Sequence, residues 1–183
     1  MNKRTLSIQD LCLIGVVTSI LVIMAQISIP MPPGVPMTMQ TFAVMLAGIL
    51  LGPRNGILAT IIYILLGAIG LPVFSNFTGG LQCLVGPTGG FIISFPLMAW
   101  LIGLGMKYRS RCKGVFTLSL IAGNVLNLLC GAVFFSLMQH VSFSAAVATC
   151  IVPFIPVTVL KMILAAVAGL NMRKRLIMLN NSK

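Results

Sequence analysis

Long apolar runs separated by short polar segments occupy most of the chain. Six of them approach the roughly 20 apolar residues that a helix needs to cross a bilayer. These runs lie at 11–29, 39–52, 55–71, 89–106, 115–138 and 146–172. They do not alternate polar and apolar residues as the strands of a membrane barrel do. The pattern therefore predicts an all-α integral membrane protein, a bundle of six transmembrane helices that forms one domain over residues 1–183.

Prolines modify the last of these runs. Pro153 and Pro156 fall near its start, and proline interrupts the hydrogen bonding of a helix. We therefore expect a separate short helix first and a spanning helix that begins near Val157.

Composition and charge agree with a membrane location. The chain is 58% hydrophobic and 7% charged, against roughly 25% charged residues in soluble domains. It has twelve Lys and Arg residues and one acidic residue. Eleven of the basic residues lie between or beside the apolar runs: Lys3, Arg4, Arg54, Lys107, Arg109, Arg111, Lys113, Arg173, Lys174, Arg175 and Lys183.

In a six-span bundle all eleven fall on the same side. The positive-inside rule then predicts a plasma-membrane protein with both termini in the cytoplasm. The basic residues form no stripe interleaved with aromatic residues, so we expect the lipid bilayer and no nucleic acid as a partner.

Catalytic chemistry has little support in the sequence. Asp10 is the single acidic residue and His140 the single histidine, and we expect Asp10 to cap the first helix. Paired acids, metal-ligand sets and a phosphate-binding loop are missing from the sequence. We predict a protein that is not an enzyme and that carries neither a metal nor a cofactor.

Two connections on the side without basic residues are rich in proline and glycine. They cover 30–38 and 67–90, and both lack charge. Irregular backbone near membrane depth is tolerated where it is buried in protein or lines a cavity. We expect re-entrant-like loops that cap a ligand cavity, the alternative being tight, rigid turns without a ligand.

Lys161 is the twelfth basic residue and lies inside the last run. An ionisable group at the centre of a span costs about 2.5–3.5 kcal/mol on insertion scales and often marks a functional site. The alternative is a lysine whose ammonium group extends outward to the interface. No acid lies in the membrane to neutralise it, so an external anion, such as a carboxylate, is the partner that we expect.

Other residues near the same mouth extend this candidate site. Thr158 precedes Lys161 by three residues, so both can face one cavity. The polar candidates Thr38, Gln40, Asn76 and Thr88 add hydrogen-bonding capacity, and Phe74 and Phe91 add apolar walls. Asn124 and Asn127 either face inward as well or join neighbouring helices.

Gly15 and Ser19 place two small residues on one face of the first span. Such spacing lets helices approach closely. It indicates either packing within the bundle or docking onto another membrane subunit.

Five segments resemble the BioY family, the biotin-specific S components of energy-coupling factor transporters. They are PMTMQT (36–41), LAGILLGPRNG (46–56), YILLGAIGLPVF (63–74), GPTGGFIISFP (86–96) and PFIPVTVLK (153–161). The resemblance implies capture of biotin from outside, together with a transmembrane coupling subunit and a pair of ABC-type ATPases. It also implies that Gly15 and Ser19 contact the coupling subunit.

The resemblance suggests how the ligand is held. It implies a carboxylate at Lys161 and a ureido head near Asn76, Gln40 and the loop glycines Gly79 and Gly80. The family commonly has an acid where this chain has Thr158. That departure leaves open another small carboxylated vitamin as the ligand, and an autonomous carrier without ATPases is a further alternative.

Overall fold

Helices make up nearly all of the regular structure. The computed structural model describes residues 6–31, 34–109 and 113–181. Its helices are α1 (Ile8–Gln26), α2 (Gln40–Ala68), α3 (Leu81–Val85), α4 (Gly89–Ile93), α5 (Phe95–Tyr108), α6 (Lys113–Gln139), α7 (Phe143–Cys150) and α8 (Ile155–Asn181). Two 3-10 turns, Ser75–Phe77 and Val152–Phe154, and two short strands, β1 (Ser28–Ile29) and β2 (Met37–Thr38), complete it.

Five helical stretches of the described chain are long and apolar enough to cross a membrane. They are Ile8–Gln26, Gln40–Ala68, Gly89–Tyr108, Gly114–Gln139 and Phe143–Leu176. The prediction of an all-helical bundle of apolar helices is therefore confirmed.

The second of these stretches, α2, reverses direction at Gly52. Gly52 has φ 76° and ψ −174°, outside the helical region, and Pro53 follows it. The side chain of Gln40 donates to the Tyr63 hydroxyl at 2.6 Å, although a straight helix would separate these residues by about 35 Å. The helix thus folds into two antiparallel arms, and the predicted runs 39–52 and 55–71 correspond to them.

The first helix ends three residues before its apolar run does, whereas the last run divides as predicted. The first helix ends at Gln26 because Ser28 and Ile29 pair with Thr38 and Met37 in an antiparallel ladder. The last run divides into α7 and α8 around a 3-10 turn that contains Pro153, as its prolines predicted.

The cap of α1 also differs from the prediction. Ser7, and not Asp10, is the N-cap residue. Asp10 lies three residues later and accepts from the Ser7 amide at 3.1 Å, which completes a capping box.

Apart from Lys161, the described basic residues gather at one end of the bundle. Asn55, beside Arg54, donates to Asp10 at 2.9 Å and joins the α2 turn to the start of α1. Arg173 of α8 donates to the Ile49 carbonyl at 2.5 Å, next to the same turn. Lys161 lies about 18 Å further along α8, toward the opposite end. Lys3, Arg4, Arg111 and Lys183 fall outside the described residues.

The two arms of α2 form the centre of the bundle. They pack mainly against α5, and α1 and α8 cover other sides. Leu21, Met45, Tyr63, Phe95 and Ile102 are fully buried in the resulting core. Glycines permit the closest approaches, since a β-carbon at Gly103 would lie 2.5 Å from the Pro53 nitrogen and 2.6 Å from the Gly52 carbonyl carbon.

We expect Gly103→Ala to destabilise the protein by about 1–3 kcal/mol, because the added methyl group overpacks the turn between the two arms. Thermal unfolding in detergent measures the change. Gly15→Ala is the matched control, as a β-carbon there meets nothing within 4 Å and alanine favours a helix. Equal unfolding temperatures for the two variants would contradict this packing.

Candidate ligand-binding site

A cavity opens at the end of the bundle opposite the basic residues. About 590 Å³ of space lies between its atoms, including the open mouth. The cavity is lined by Val35, Pro36, Thr38, Gln40, Thr41, Ser75, Thr88, Phe91, Ile92, Phe95, Asn124, Asn127, Leu128, Phe154, Thr158 and Lys161.

Lys161 lies in the wall of this cavity and is 5% exposed. Its ammonium group donates to the Thr38 carbonyl at 2.5 Å and to the Thr41 hydroxyl at 3.4 Å. Within the part of the chain that the structure describes, no other charged side chain is buried. An ammonium group has three donors, so one N–H and the positive charge remain for a ligand.

A chain of hydrogen bonds holds the acceptors of Lys161 in place. The Thr38 hydroxyl donates to Gln40 Oε1 at 2.8 Å, and Gln40 Nε2 donates to the Tyr63 hydroxyl at 2.6 Å. Tyr63 in turn donates to the Val73 carbonyl at 3.0 Å. The start of the first α2 arm is thereby tied to the end of the second, which fixes the position of the Thr38 carbonyl.

Two asparagines of α6 contribute to both the cavity and the packing. Asn127 Nδ2 donates to the Phe91 carbonyl at 2.9 Å and to the Ser94 hydroxyl at 2.8 Å. Asn124 Nδ2 donates to the Leu120 carbonyl at 2.8 Å. Their side-chain carbonyl oxygens have no partner among the described residues, so they can accept a hydrogen bond from a ligand. Both alternatives that the sequence left open therefore apply.

Aromatic rings form the apolar part of the wall. The rings of Phe91 and Phe154 lie 6.5 Å apart between centroids and are inclined by only 19°. Phe95 and Leu128 extend this surface. The cavity thus combines a flat apolar wall with one buried cation and several hydrogen-bonding groups, a combination that suits a small ligand with an anionic end.

The structure brings six of the ten predicted ligand contacts together in the cavity wall. They are Lys161, Thr158, Gln40, Thr38, Thr88 and Phe91. Phe74 is instead buried in the core, with its ring 5.5 Å from that of Tyr63. Asn76 is exposed and accepts from the Ser28 hydroxyl at 2.6 Å.

The predicted loop glycines also lie outside the cavity wall. Gly80 donates its backbone N–H to the Gly67 carbonyl at 2.7 Å, and Gly79 packs against the backbone of Leu71. Both therefore belong to the packing of the loop.

Several lining residues were not among those predicted from the sequence. Thr41 follows Gln40 directly in the PMTMQT segment, so the polar character that singles out Gln40 also applies to it. Phe154 and Phe95 resemble ordinary core residues in an apolar run, and Ser75 lies in a loop without a local signal. Phe154, Phe95 and Ser75 reach the cavity because segments distant in sequence come together in the fold, which the sequence does not reveal.

The Gly15 and Ser19 face of α1 is exposed on the bundle. A β-carbon at Gly15 would meet nothing within 4 Å, and the Ser19 hydroxyl donates to the Gly15 carbonyl of its own helix at 3.0 Å. Packing within the described part of this chain therefore does not account for the two small residues.

Comparison with known proteins decides the family. The model of the BioY family matches residues 1–177. The chain belongs to the BioY family. The prediction made from the five sequence segments is thus confirmed.

Relatives of this BioY-family chain match it over most of their length. A biotin transporter BioY of Thermotoga maritima is 39% identical over 160 residues, which covers 87% of this chain and 93% of the relative. A probable biotin transporter BioY of Pyrococcus horikoshii is 36% identical and covers 84% and 89%, respectively.

A crystal structure extends the similarity to the fold. The S-component for biotin from an ECF-type ABC transporter superposes with a TM-score of 0.84 at 27% identity, covering 95% of each chain. With five helical stretches able to cross a membrane, this BioY-family chain is a multi-pass membrane protein.

Tyr63→Phe should lower the free energy of unfolding by about 1–3 kcal/mol, because the Gln40 amide and the Val73 carbonyl both lose a buried partner. Thermal unfolding of the purified protein checks this. The same change at the exposed Tyr108 provides the control. A Tyr63→Phe protein as stable as Tyr108→Phe would show that the hydroxyl does not tie the two arms together.

Proposed function

We propose that this BioY-family chain captures biotin from outside the cell and acts as the substrate-binding S component of an ECF-type ABC transporter. It works by binding and not by catalysis. The observation that carries the proposal is the buried Lys161, whose ammonium group lies in the cavity wall. Among the residues that the structure describes, its partners are a backbone carbonyl and a hydroxyl. The names of the relatives and of the superposed structure support biotin as the ligand.

In this proposal the valerate carboxylate binds at Lys161. Thr158, one helical turn away, adds a hydroxyl donor at the same wall. The ring system lies against Phe91 and its stacked partner Phe154, and the ureido group meets Thr88 and the free carbonyl oxygens of Asn124 and Asn127. The loop that carries Ser75 is shaped by Phe74, Asn76, Gly79 and Gly80.

The membrane arrangement follows from the charges and the hairpin in α2. We propose six crossings within one domain over residues 1–183, the two arms of α2 each counting as one. The basic end, with Arg54, Lys107 and Arg173, faces the cytoplasm under the positive-inside rule. Both termini then lie in the cytoplasm of a plasma-membrane protein, and the cavity opens outward.

The partners in this proposal are a transmembrane coupling subunit and a pair of ABC-type ATPases. The exposed face of Gly15 and Ser19 on α1 suits close approach by a second membrane helix, and it is the surface that we assign to the coupling subunit.

Lys161→Ala should weaken biotin binding about 10- to 150-fold. A hydrogen bond to a charged group contributes about 1.5–3 kcal/mol, and about 1.36 kcal/mol corresponds to a factor of ten. Equilibrium binding of labelled biotin to the purified protein measures the loss. Lys107→Ala, which removes an exposed lysine at the basic end, is the matched control and should bind as the wild type does.

Three outcomes would alter this account. Unchanged biotin affinity in a folded Lys161→Ala protein would show that the lysine does not bind the ligand. Wild-type protein that ignores biotin and binds another small carboxylated vitamin would favour the alternative raised by Thr158. Uptake in cells without ATPase subunits would favour the autonomous carrier.

Gly15→Leu should abolish uptake but leave biotin affinity within about twofold of the wild type, because the side chain projects away from the bundle and obstructs only an approaching helix. Uptake in cells that express the whole transporter, measured beside equilibrium binding, separates the two effects. Leu11→Ala, a change on an exposed residue of the same helix, should affect neither. Normal uptake by Gly15→Leu would show that this face of α1 does not contact the coupling subunit.

A further inference from the structure

Gln26, the last residue of α1, uses both atoms of its amide group on a single loop. Its Nε2 donates to the Phe74 carbonyl at 3.1 Å, and its Oε1 accepts from the Phe77 backbone N–H at 2.9 Å. The two bonds bracket Ser75, which lines the cavity. Gln26 itself is not part of the cavity wall, so its role is not direct contact with the ligand.

A third bond from the same side holds Asn76, which lies between these two contacts. The Ser28 hydroxyl, in the strand that follows α1, donates to Asn76 Oδ1 at 2.6 Å. Residues 74–77 are thus attached to α1 and its continuation at three places, namely Phe74, Asn76 and Phe77.

The segment has an unusual backbone that favours such external support. Asn76 and Phe77 have φ values of 57° and 56°. Asparagine tolerates this left-handed region, but a bulky residue such as phenylalanine rarely occupies it. The Phe77 ring is 71% exposed, so packing of the ring does not hold the backbone there.

We propose that Gln26 is a positioning residue for ligand capture: it clamps residues 74–77 at the mouth of the cavity and keeps Ser75 in the cavity wall. Without the clamp the strained segment relaxes away from the mouth and bound ligand escapes faster. This inference rests on the proposed function, because the ligand whose escape is slowed is biotin.

Substitutions at Gln26 separate the two halves of the clamp. Gln26→Ala removes both hydrogen bonds to the loop, together with the bond from Gln26 Nε2 to the Val22 carbonyl of its own helix. Gln26→Glu keeps an acceptor for the Phe77 N–H but has no donor for the Phe74 carbonyl. Gln139→Ala is the matched control, since Gln139 lies at the same end of the bundle, is exposed and makes no hydrogen bond to residues 74–77.

The experiment has two measurements on the purified protein. One is the dissociation rate of labelled biotin. The other is hydrogen exchange at the Phe77 amide, which needs no ligand. We expect Gln26→Ala to release biotin at least tenfold faster and to exchange Phe77 at least tenfold faster, with exchange in α2 and α5 unchanged. Gln26→Glu should fall between Gln26→Ala and the wild type, and Gln139→Ala should match the wild type.

Other results would overturn the inference. Unchanged Phe77 exchange in Gln26→Ala would show that there is no clamp. Faster exchange with unchanged release would show that the clamp does not serve capture, and equal acceleration in Gln139→Ala would show a nonspecific effect. If the wild type fails to bind biotin, the proposed function fails, while Phe77 exchange still decides whether Gln26 holds the loop.

Discussion

The ammonium group of Lys161 sets the main constraint on this structure. It is buried in a chain that has a single acidic residue, at the opposite end of the bundle, so the protein satisfies it with the Thr38 carbonyl and the Thr41 hydroxyl. That solution fixes the position of α8 relative to the start of α2. It also requires the segment before α2 to hold a single conformation. That conformation is fixed by the strand pairing of Met37 and Thr38 and by the hydrogen bonds through Gln40 and Tyr63.

Partial satisfaction of this charge gives the cavity its chemistry. A carbonyl and a hydroxyl accept hydrogen bonds from an ammonium group but carry no negative charge, so a carboxylate ligand gains a favourable interaction that the protein itself does not supply. The aromatic wall and the free amide oxygens of α6 then suit a ligand that is apolar in its middle and polar at its far end. The same polar residues also support the packing of the bundle, since Asn127 joins α6 to the segment of Phe91 and Ser94.

The sequence predicted the helical membrane fold because apolar runs of this length have few other solutions in a bilayer. It also predicted Lys161 from the cost of a buried charge and Thr158 from its spacing to Lys161. Thr38 and Gln40 were predicted from their place near the same mouth. It could not place Phe74 or Asn76, because both lie in a loop whose path depends on the distant Tyr63, Gly67 and Gln26. The roles of Ser75 and Phe154 likewise arise only from contacts between remote segments.

The central claim is that Lys161 receives the ligand's carboxylate, and a two-by-two binding comparison tests it most directly. Biotin and its methyl ester, which lacks the negative charge, are each measured against the wild type and Lys161→Met by equilibrium binding. The account predicts that the ester binds the wild type at least tenfold more weakly than biotin does, and that this difference nearly vanishes in Lys161→Met. An equal penalty for the ester in both proteins would place the carboxylate elsewhere and contradict the account.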